Sequence, residues 1–175
     1  IVEDGWSRKR VFWGDVNKPV SGEVFDALLG LAVNYLAERD RFLFDGFVGA
    51  DPKYRMNIRV IAEKAWHALF ATTLFIRPSG DELKNFVPQF TVINAMDLQI
   101  DPSRYGLRSK TFVAISFDKK IVLIIGSGYG GEIKKSIFSV MNGLLPEKGV
   151  FPMHCSANIG ASDDDGYVLN KSMMD

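Results

Sequence analysis

One stretch of the sequence, residues 121–135, combines residue types that can bind an anion. An aliphatic run predicts a strand, Gly126 to Gly131 predicts a loop, and a helix predicted after the loop carries Lys134 and Lys135. Glycines let a ligand approach the backbone closely, and the free amides at a helix N-terminus attract negative charge. The stretch therefore predicts a site for a phosphate or a carboxylate.

The two lysines lie where a helix does not favour them. The positive end of the helix dipole repels each cation by a few tenths to about 1 kcal/mol. A bound anion or metal would compensate for this repulsion, and the same field favours the uncharged amine of a lysine. A pair of solvated lysines explains the sequence equally well. Lys135 shares a helix face with Ser139 and Asn142, so we expect it to face a polar cleft.

His154 is the second candidate for chemistry. Residues 151–158 alternate between apolar and polar types, which predicts a strand with His154 on its polar side and Cys155 on its apolar side. His154 could be a metal ligand, an acid/base group or a structural histidine at the end of a strand. We expect Cys155 to be buried. The other histidine, His67, shares a predicted helix face with charged residues, so we expect it in solvent without a role.

Two other functions fit the glycine-rich segment. Gly126, Gly128 and Gly131 match the dinucleotide fingerprint G-x-G-x-x-G, which would suit an oxidoreductase. The next predicted strand has no acidic residue at its end to bind a ribose, which weakens that alternative. The other alternative is a non-catalytic module that binds anions at residues 129–135.

The elements that would position these residues mix helices and strands. The connections include both a hairpin and crossovers, which predicts an α/β fold, a mixed sheet with flanking helices. Residues 1–20 give no sustained period and predict loop or short strand. Helices are predicted at 21–38, 58–73 and 132–145, and strands at 41–48, 89–95, 111–117, 121–125 and 151–158.

The composition of the chain disfavours several classes of function. A length of 175 residues favours one domain, and 21 basic residues balance 21 acidic ones, so nothing in the whole-chain charge favours nucleic acid or an anionic membrane. The apolar runs are far shorter than the ~20 residues that span a bilayer. A single cysteine, Cys155, excludes an internal disulfide and favours a reducing, cytoplasmic location.

Several motifs in order resemble one enzyme family. Residues 129–142, 144–146 and 153–158 are similar to ATP-dependent phosphoenolpyruvate carboxykinase, and so is an upstream block at 45–52 with Arg55, Arg59 and residues 65–66 and 75–79. The resemblance runs from about residue 1 to residue 160. It implies the N-terminal domain of the phosphoenolpyruvate carboxykinase fold over residues 1–160. Residues 161–175 would be a remnant of the nucleotide-binding domain or an unassigned tail.

The resemblance also implies a reaction. Members of the family convert oxaloacetate and ATP to phosphoenolpyruvate, ADP and CO2 in gluconeogenesis, a decarboxylation in the lyase class. They use Mn2+ at the active site and Mg2+ or Mn2+ with the nucleotide. The partners implied are these small molecules, with no nucleic acid and no membrane.

Four residues receive roles from the resemblance. Tyr129 would position the substrate or CO2, and Lys134 would supply positive charge toward the substrate and the transferring phosphate. Lys135 and His154 would be Mn2+ ligands through a neutral amine and an imidazole nitrogen. The same two residues would contact the nucleotide, and Lys135 would also contact the substrate. A lysine must be unprotonated to bind a metal ion, and the positive end of a helix dipole favours this uncharged form.

The sequence departs from the family pattern at both ends. The family carries a basic R-S-P-K-D-type motif just before the position of Ile1, and after the position of Gly160 a phosphate loop of the G-x-x-G-x-G-K-T kind and an aspartate pair. Here Gly160 leads directly into residues 161–170. We therefore expect the sequence to be part of a longer protein, and we expect this piece alone to bind ATP poorly.

Overall fold

The computed structural model describes residues 1–159 and 165–169. The chain divides into two compact units, Ile1–Val140 and a second that begins at Met141. The first unit contains a five-stranded sheet, and the second contains a two-stranded sheet. The domain boundary predicted at residue 160 stays a prediction.

The five-stranded sheet is mixed, which confirms the predicted α/β class. Its strand order is β1-β2-β3-β5-β4, in which β2, β3 and β5 are parallel and the edge strands β1 and β4 are antiparallel to their neighbours. The strands are β1 (Phe42–Val48), β2 (Met56–Ala62), β3 (Phe90–Ala95), β4 (Phe112–Ser116) and β5 (Ile121–Ile125).

Helices flank this sheet. The four α-helices of the described residues are α1 (Gly22–Ala37), α2 (Ala65–Leu74), α3 (Gly80–Lys84) and α4 (Gly131–Leu144). The Ser21 hydroxyl caps α1 by accepting a hydrogen bond from the Val24 amide. One face of the sheet packs against α1 in a core that includes Phe25, Leu28, Ala32, Leu36, Ile93, Leu123 and Ile125. Within the described residues, no helix has the length and apolarity needed to cross a bilayer.

The second predicted helix is wrong over its first half. Residues 56–62 form β2 because the buried positions there alternate with half-buried ones, the period of a strand. The helix α2 begins only at Ala65, and it buries His67, Ala68 and Ala71. Trp66, Leu69 and Phe70, which the helical spacing places inside, are exposed.

Other expectations need smaller corrections. The spacing predicts a buried first strand, but Phe42 and Leu43 of β1 are exposed because β1 is an edge strand. Residues 151–154 are not in a strand; β6 (Cys155–Ile159) begins after them and pairs with β7 (Asp165–Leu169). Cys155 is half-exposed rather than buried.

The parallel strands set the position of the loops that matter for function. The strands β2, β3 and β5 end at Ala62, Ala95 and Ile125, so the segments that follow all leave the same edge of the sheet. Ligands of α/β proteins bind outside this carboxyl edge. The glycine-rich segment leaves this edge from β5.

Candidate functional site

The glycine-rich loop, residues 126–131, is anchored to the sheet at its first residue. The Gly126 amide donates to the Ala95 carbonyl at 3.2 Å, and the Gly126 carbonyl accepts from the Thr111 hydroxyl at 3.1 Å. Gly126 has a φ of 68°, and a Cβ there would lie 2.8 Å from the Lys110 carbonyl oxygen. Only glycine fits this conformation and this contact.

The later part of the loop rests on α2. A Cβ on Gly130 would lie 2.8 Å from the Phe70 ring and 3.0 Å from the Trp66 ring, and a Cβ on Gly128 would lie 3.1 Å from the Met96 methyl group. Because these glycines have no side chains, the loop can pack closely against α2 and Met96. The sequence pattern suggests that the glycines let a ligand approach the backbone. The close packing within the protein is a second reason for glycine at these positions.

Tyr129 projects from the loop. Its backbone amide donates to the Ser127 hydroxyl at 3.3 Å, and its carbonyl accepts from the Glu132 amide at 3.1 Å. Its ring lies over Gly131, where it leaves no room for a side chain. The residue is nevertheless 58% exposed. A fixed backbone with an accessible ring is suited to contact with a ligand.

Lys135 lies beside Tyr129. Its ammonium nitrogen is 5.8 Å from the centroid of the Tyr129 ring, within range of a cation–π contact. The structure thus brings together two of the four predicted site residues. Lys134 is also exposed. Because α4 begins at Gly131, the two lysines are its fourth and fifth residues, and the dipole acts on them less than it would on residues of the first turn.

A cavity lies next to Lys135, where the helix-face spacing predicts a polar cleft, but polar and apolar residues line it about equally. Its volume is about 190 Å³. Its lining residues are Glu132, Lys135, Ser136 and Ser139 of α4, residues 113–115 of β4, and Ile1. The predicted neighbour Ser139 is therefore present at the cavity.

His154 belongs to the second compact unit. Its side chain is exposed, and it lies immediately before β6 rather than within a strand. Its pairing with Lys135 at a metal stays a prediction. In the part of the chain that the structure describes, no three His, Cys, Asp or Glu residues are grouped closely enough to hold a metal ion.

His67 is a feature of the site that the sequence pattern does not reveal. The prediction that it lies in solvent is wrong, because it is completely buried, and its ring stacks on Trp66 with 3.6 Å between centroids. Burial lowers the pKa of His67, and the neighbouring backbone of Gly128 acts in the opposite direction. The Trp66 ring, on which His67 stacks, in turn packs against Gly130 of the glycine-rich loop. Only the correct start of α2, at Ala65, would have revealed this position.

Acidic groups near the same edge are already occupied by structural contacts. The Glu63 carboxylate accepts from the Tyr35 hydroxyl at 3.1 Å and from the Asp97 amide at 2.9 Å. Lys64 pairs with Asp97 at 2.5 Å and with Glu63 at 3.3 Å. Burial, and then the contact with Glu63, raise the pKa of Tyr35. This cluster ties α1 to the ends of β2 and β3.

The upstream block that resembles the family contains a structural ion pair. The Arg59 guanidinium donates to both oxygens of Asp45, each at 2.7 Å, across the β1–β2 pair. The pKa of Arg59 is raised by this contact with Asp45. Paired in this way, Arg59 stabilises the sheet edge.

The topology does not support the dinucleotide alternative. A dinucleotide fingerprint needs a strand–helix–strand unit whose second strand returns to the same parallel sheet. In the described residues, the strand that follows α4 is β6, and it pairs with β7 in a separate sheet. The loop therefore matches the fingerprint in sequence without the fold that the fingerprint requires.

Comparison with known proteins identifies the family. A family profile described as phosphoenolpyruvate carboxykinase matches residues 1–169. Enzymes named phosphoenolpyruvate carboxykinase (ATP) from Geobacillus kaustophilus and Bacillus subtilis are 54% and 50% identical over 165 residues, which is 94% of this chain and 31% of each relative. The enzyme of that name from Thermus thermophilus is 52% identical over 168 residues, 94% of this chain and 32% of its own. The chain thus spans about a third of the length of these relatives, and it belongs to the ATP-dependent phosphoenolpyruvate carboxykinase family.

Proposed function

We propose that this chain supplies the substrate-side part of an enzyme that converts oxaloacetate and ATP to phosphoenolpyruvate, ADP and CO2 in the cytoplasm. The observation that carries the proposal is the pairing of Tyr129 and Lys135 at the carboxyl edge of the sheet. Membership of the family supports it, since the matched relatives are named for this reaction.

Each residue has a part in this proposal. The exposed Tyr129 ring positions the substrate or the CO2 that leaves it. Lys134 supplies positive charge toward the substrate and the phosphate in transfer, and such charge stabilises the transition state of phosphoryl transfer. Lys135 contacts the substrate, and together with His154 it contacts the nucleotide and holds a metal ion.

The metal proposed is Mn2+, with Mg2+ or a second Mn2+ accompanying the nucleotide. The exposed amine of Lys135 and the exposed imidazole of His154 are nitrogen donors that such an ion accepts when they are unprotonated. A bound divalent ion would supply Lewis acidity toward developing negative charge on oxygen. Its other ligands come from water, the substrate or further parts of the protein.

The reaction balances in two steps. The bond between the carboxylate carbon and the methylene carbon of oxaloacetate breaks, CO2 leaves, and the electron pair forms the enolate of pyruvate. The enolate oxygen then attacks the γ-phosphorus of ATP as the bond to the β-phosphate oxygen breaks, which gives phosphoenolpyruvate and ADP. Positive charge from Lys134 reduces the repulsion between the enolate and the phosphate.

The second step needs groups that this sequence does not contain. A phosphate loop of the G-x-x-G-x-G-K-T kind is absent from it. We therefore propose that residues 1–160 are the N-terminal domain, that 161–175 are a remnant of a nucleotide-binding domain or a tail, and that activity belongs to a longer protein.

Substitution of Lys135 tests the proposal. In the complete encoded protein, phosphoenolpyruvate formation from oxaloacetate and ATP with Mn2+ is measured for the wild type, for Lys135→Met and for Lys148→Met. We expect Lys135→Met to lower kcat/KM at least about 100-fold, since it removes a proposed metal ligand that also contacts the substrate. Lys148 is an exposed lysine outside the proposed site and serves as the control. A wild type without activity, or equal activity of the two variants, would contradict the proposal.

A further inference from the structure

A buried carboxylate follows β2 at the carboxyl edge of the sheet. Glu63 is only 8% exposed, and its two oxygens have different partners. One oxygen accepts a hydrogen bond from the Asp97 amide at 2.9 Å. The other accepts from the Tyr35 hydroxyl at 3.1 Å and lies 3.3 Å from the Lys64 ammonium nitrogen. Burial of a carboxylate is costly unless hydrogen bonds compensate for it, so the segments that these bonds hold are informative.

The contact with Asp97 holds a tight turn. Residues 95–98 form this turn directly after β3, and it is closed by a hydrogen bond of 3.4 Å from its last amide to its first carbonyl. The Asp97 amide lies inside the turn and donates to Glu63. The Glu63 amide in addition donates to the carbonyl of Asn94, the residue before the turn, at 3.0 Å. Glu63 therefore fixes the turn relative to β2 through both its backbone and its side chain.

The 95–98 turn contacts the glycine-rich loop at several points. The Ala95 carbonyl accepts a hydrogen bond from the Gly126 amide at 3.2 Å. A Cβ on Gly126 would lie 3.6 Å from the Leu98 carbonyl oxygen, and a Cβ on Gly128 would lie 3.1 Å from the Met96 methyl group. Because β2, β3 and β5 are neighbours in the sheet, the segments that follow them form a row in which each contacts the next.

The loop leads directly into the proposed site. Tyr129 follows Gly128, and α4, which carries Lys135, begins two residues after Tyr129. A displacement of the 95–98 turn would move the backbone at Gly128 and therefore the Tyr129 ring. Displacements of about 1 Å in a positioned group can cost 100-fold in rate.

We propose that Glu63 is a positioning residue, whose carboxylate fixes the 95–98 turn and through it holds the glycine-rich loop and Tyr129 in place. The contacts with Tyr35 and Lys64 alone would make Glu63 a structural group at the junction with α1. The hydrogen bond from the Asp97 amide is what connects it to the loop. This inference rests on the proposed function, since it gives Glu63 an indirect part in binding the same substrate.

Substitutions on the two sides of the carboxylate separate positioning from packing. In the complete encoded protein, Glu63→Met keeps a side chain of similar length and leaves the Asp97 amide without its acceptor. Glu63→Gln keeps one carbonyl oxygen that can accept from this amide. Tyr35→Phe is the matched control, because it removes a hydrogen bond to the same carboxylate and leaves the contact with the Asp97 amide unchanged.

Hydrogen exchange across residues 126–131 is the first measurement. The Gly126 amide reports directly on the contact, since its hydrogen bond goes to the turn. We expect Glu63→Met to speed exchange in this segment about tenfold beyond any change in global stability. Glu63→Gln should restore most of the protection, and Tyr35→Phe should alter exchange only in proportion to global stability.

Steady-state kinetics of the same variants are the second measurement. The KM for oxaloacetate should rise about tenfold in Glu63→Met while kcat stays within about threefold, because the role proposed for Tyr129 is to position the substrate. Tyr35→Phe should keep KM within about twofold of the wild type, and Glu63→Gln should restore most of the affinity.

Met96→Ala tests the contact between the turn and the loop, and it does so even if Glu63→Met does not fold. This substitution leaves the hydrogen bonds of Glu63 in place and removes the contact with Gly128, so exchange across residues 126–131 should rise several-fold beyond any change in global stability.

Equal loop exchange in Glu63→Met and Tyr35→Phe, after correction for stability, would overturn the positioning role whatever the activity. Unchanged loop exchange in Met96→Ala would overturn it as well. A complete wild-type protein without carboxykinase activity would instead overturn the proposed function, and the exchange data would still decide whether Glu63 holds the loop.

Discussion

Burial of His67 makes the free energy of unfolding of the first unit depend on pH. The pKa of His67 is lowered from its ordinary value by burial. At a pH below about 6.5 the unfolded chain binds a proton at this residue while the folded chain does not. The free energy of unfolding therefore falls as the pH drops below about 6.5, and this contribution stops falling below the lowered pKa of the folded state.

Removal of the imidazole should remove this dependence. The nearby charges that act on His67 are Glu63, which raises its pKa, and Lys64, which lowers it. We expect His67→Leu to flatten the decrease in urea-unfolding free energy between about pH 7.5 and about pH 5.5, whatever its effect on stability at the upper end of that range. A wild type whose stability is constant across this range would show that His67 takes up a proton equally in the folded and unfolded states, so that burial does not lower its pKa.

At the scale of elements, the contact between the loop and α2 is the most specific one near the site. A Cβ on Gly130 would lie 2.8 Å from the Phe70 ring and 3.0 Å from the Trp66 ring, both on a helix that is held by the sheet. Added atoms in such a space cost about 1–3 kcal/mol because neighbouring side chains must leave their preferred rotamers. Gly130→Ala should therefore lower the free energy of unfolding by that amount.

A second glycine provides the control. Gly30 lies within α1, is exposed, and has no other atom within 4 Å of the position that a Cβ would take. Gly30→Ala should stabilise the protein by about 0.5–1 kcal/mol because alanine favours the helix. Chemical denaturation of both variants is the measurement. If Gly130→Ala left stability unchanged or raised it as Gly30→Ala does, the loop would not be packed against α2 as described.

The elements differ in how well the sequence alone predicts them. The helices α1 and α4 and the β4–β5 hairpin match prediction because each has a regular pattern and a clear boundary, such as Ser21 or Pro146. The strand β2 escapes prediction because Ile58, Ile61 and Ala62 also fit a helical spacing that continues into α2. Only pairing with β1 and β3, which is not local, decides between the two.

Prediction of the site from sequence has the same limit, because local pattern does not report tertiary contacts. The glycine-rich loop and the two lysines follow from local pattern, and the roles of Tyr129 and Lys135 follow from the family resemblance. The burial of His67 does not follow from local pattern. When the start of a helix is misplaced by a few residues, the residues predicted to face the core and those predicted to face solvent are interchanged. Burial of a polar residue is a tertiary property that periodicity cannot report when the element itself is assigned wrongly.

At the scale of the whole molecule, Asp4 ties the first residues to a distant hairpin. Its carboxylate accepts hydrogen bonds from the Ser7 amide at 2.9 Å, the Ser116 hydroxyl at 3.1 Å and the Asp118 amide at 3.0 Å. Burial alone would raise the pKa of Asp4, but these hydrogen bonds together outweigh burial and lower it. The stabilisation is therefore present above about pH 4 and disappears as the pH falls through the lowered pKa.

Asp4→Asn should destabilise the protein at neutral pH by about 1 kcal/mol, after allowance for solvent screening of a half-buried group. The difference from the wild type should shrink as the pH falls below about 4 and through the lowered pKa of Asp4, because the wild-type carboxylate then becomes protonated. Asp40→Asn, at an exposed position, is the control. Unfolding curves across this pH range measure both effects, and a difference that does not depend on pH would show that the charge of Asp4 is unimportant.

Length decides what the chain can do by itself. The matched relatives are about three times longer, and the sequence holds no phosphate-loop lysine to bind the β- and γ-phosphates. We expect the 175-residue chain to form no phosphoenolpyruvate from oxaloacetate and ATP, and the complete encoded protein to form it under the same conditions. Both are assayed at equal concentration with Mn2+. Turnover by the short chain would mean that Tyr129, Lys134, Lys135 and His154 suffice for phosphoryl transfer, because no phosphate loop would then be required.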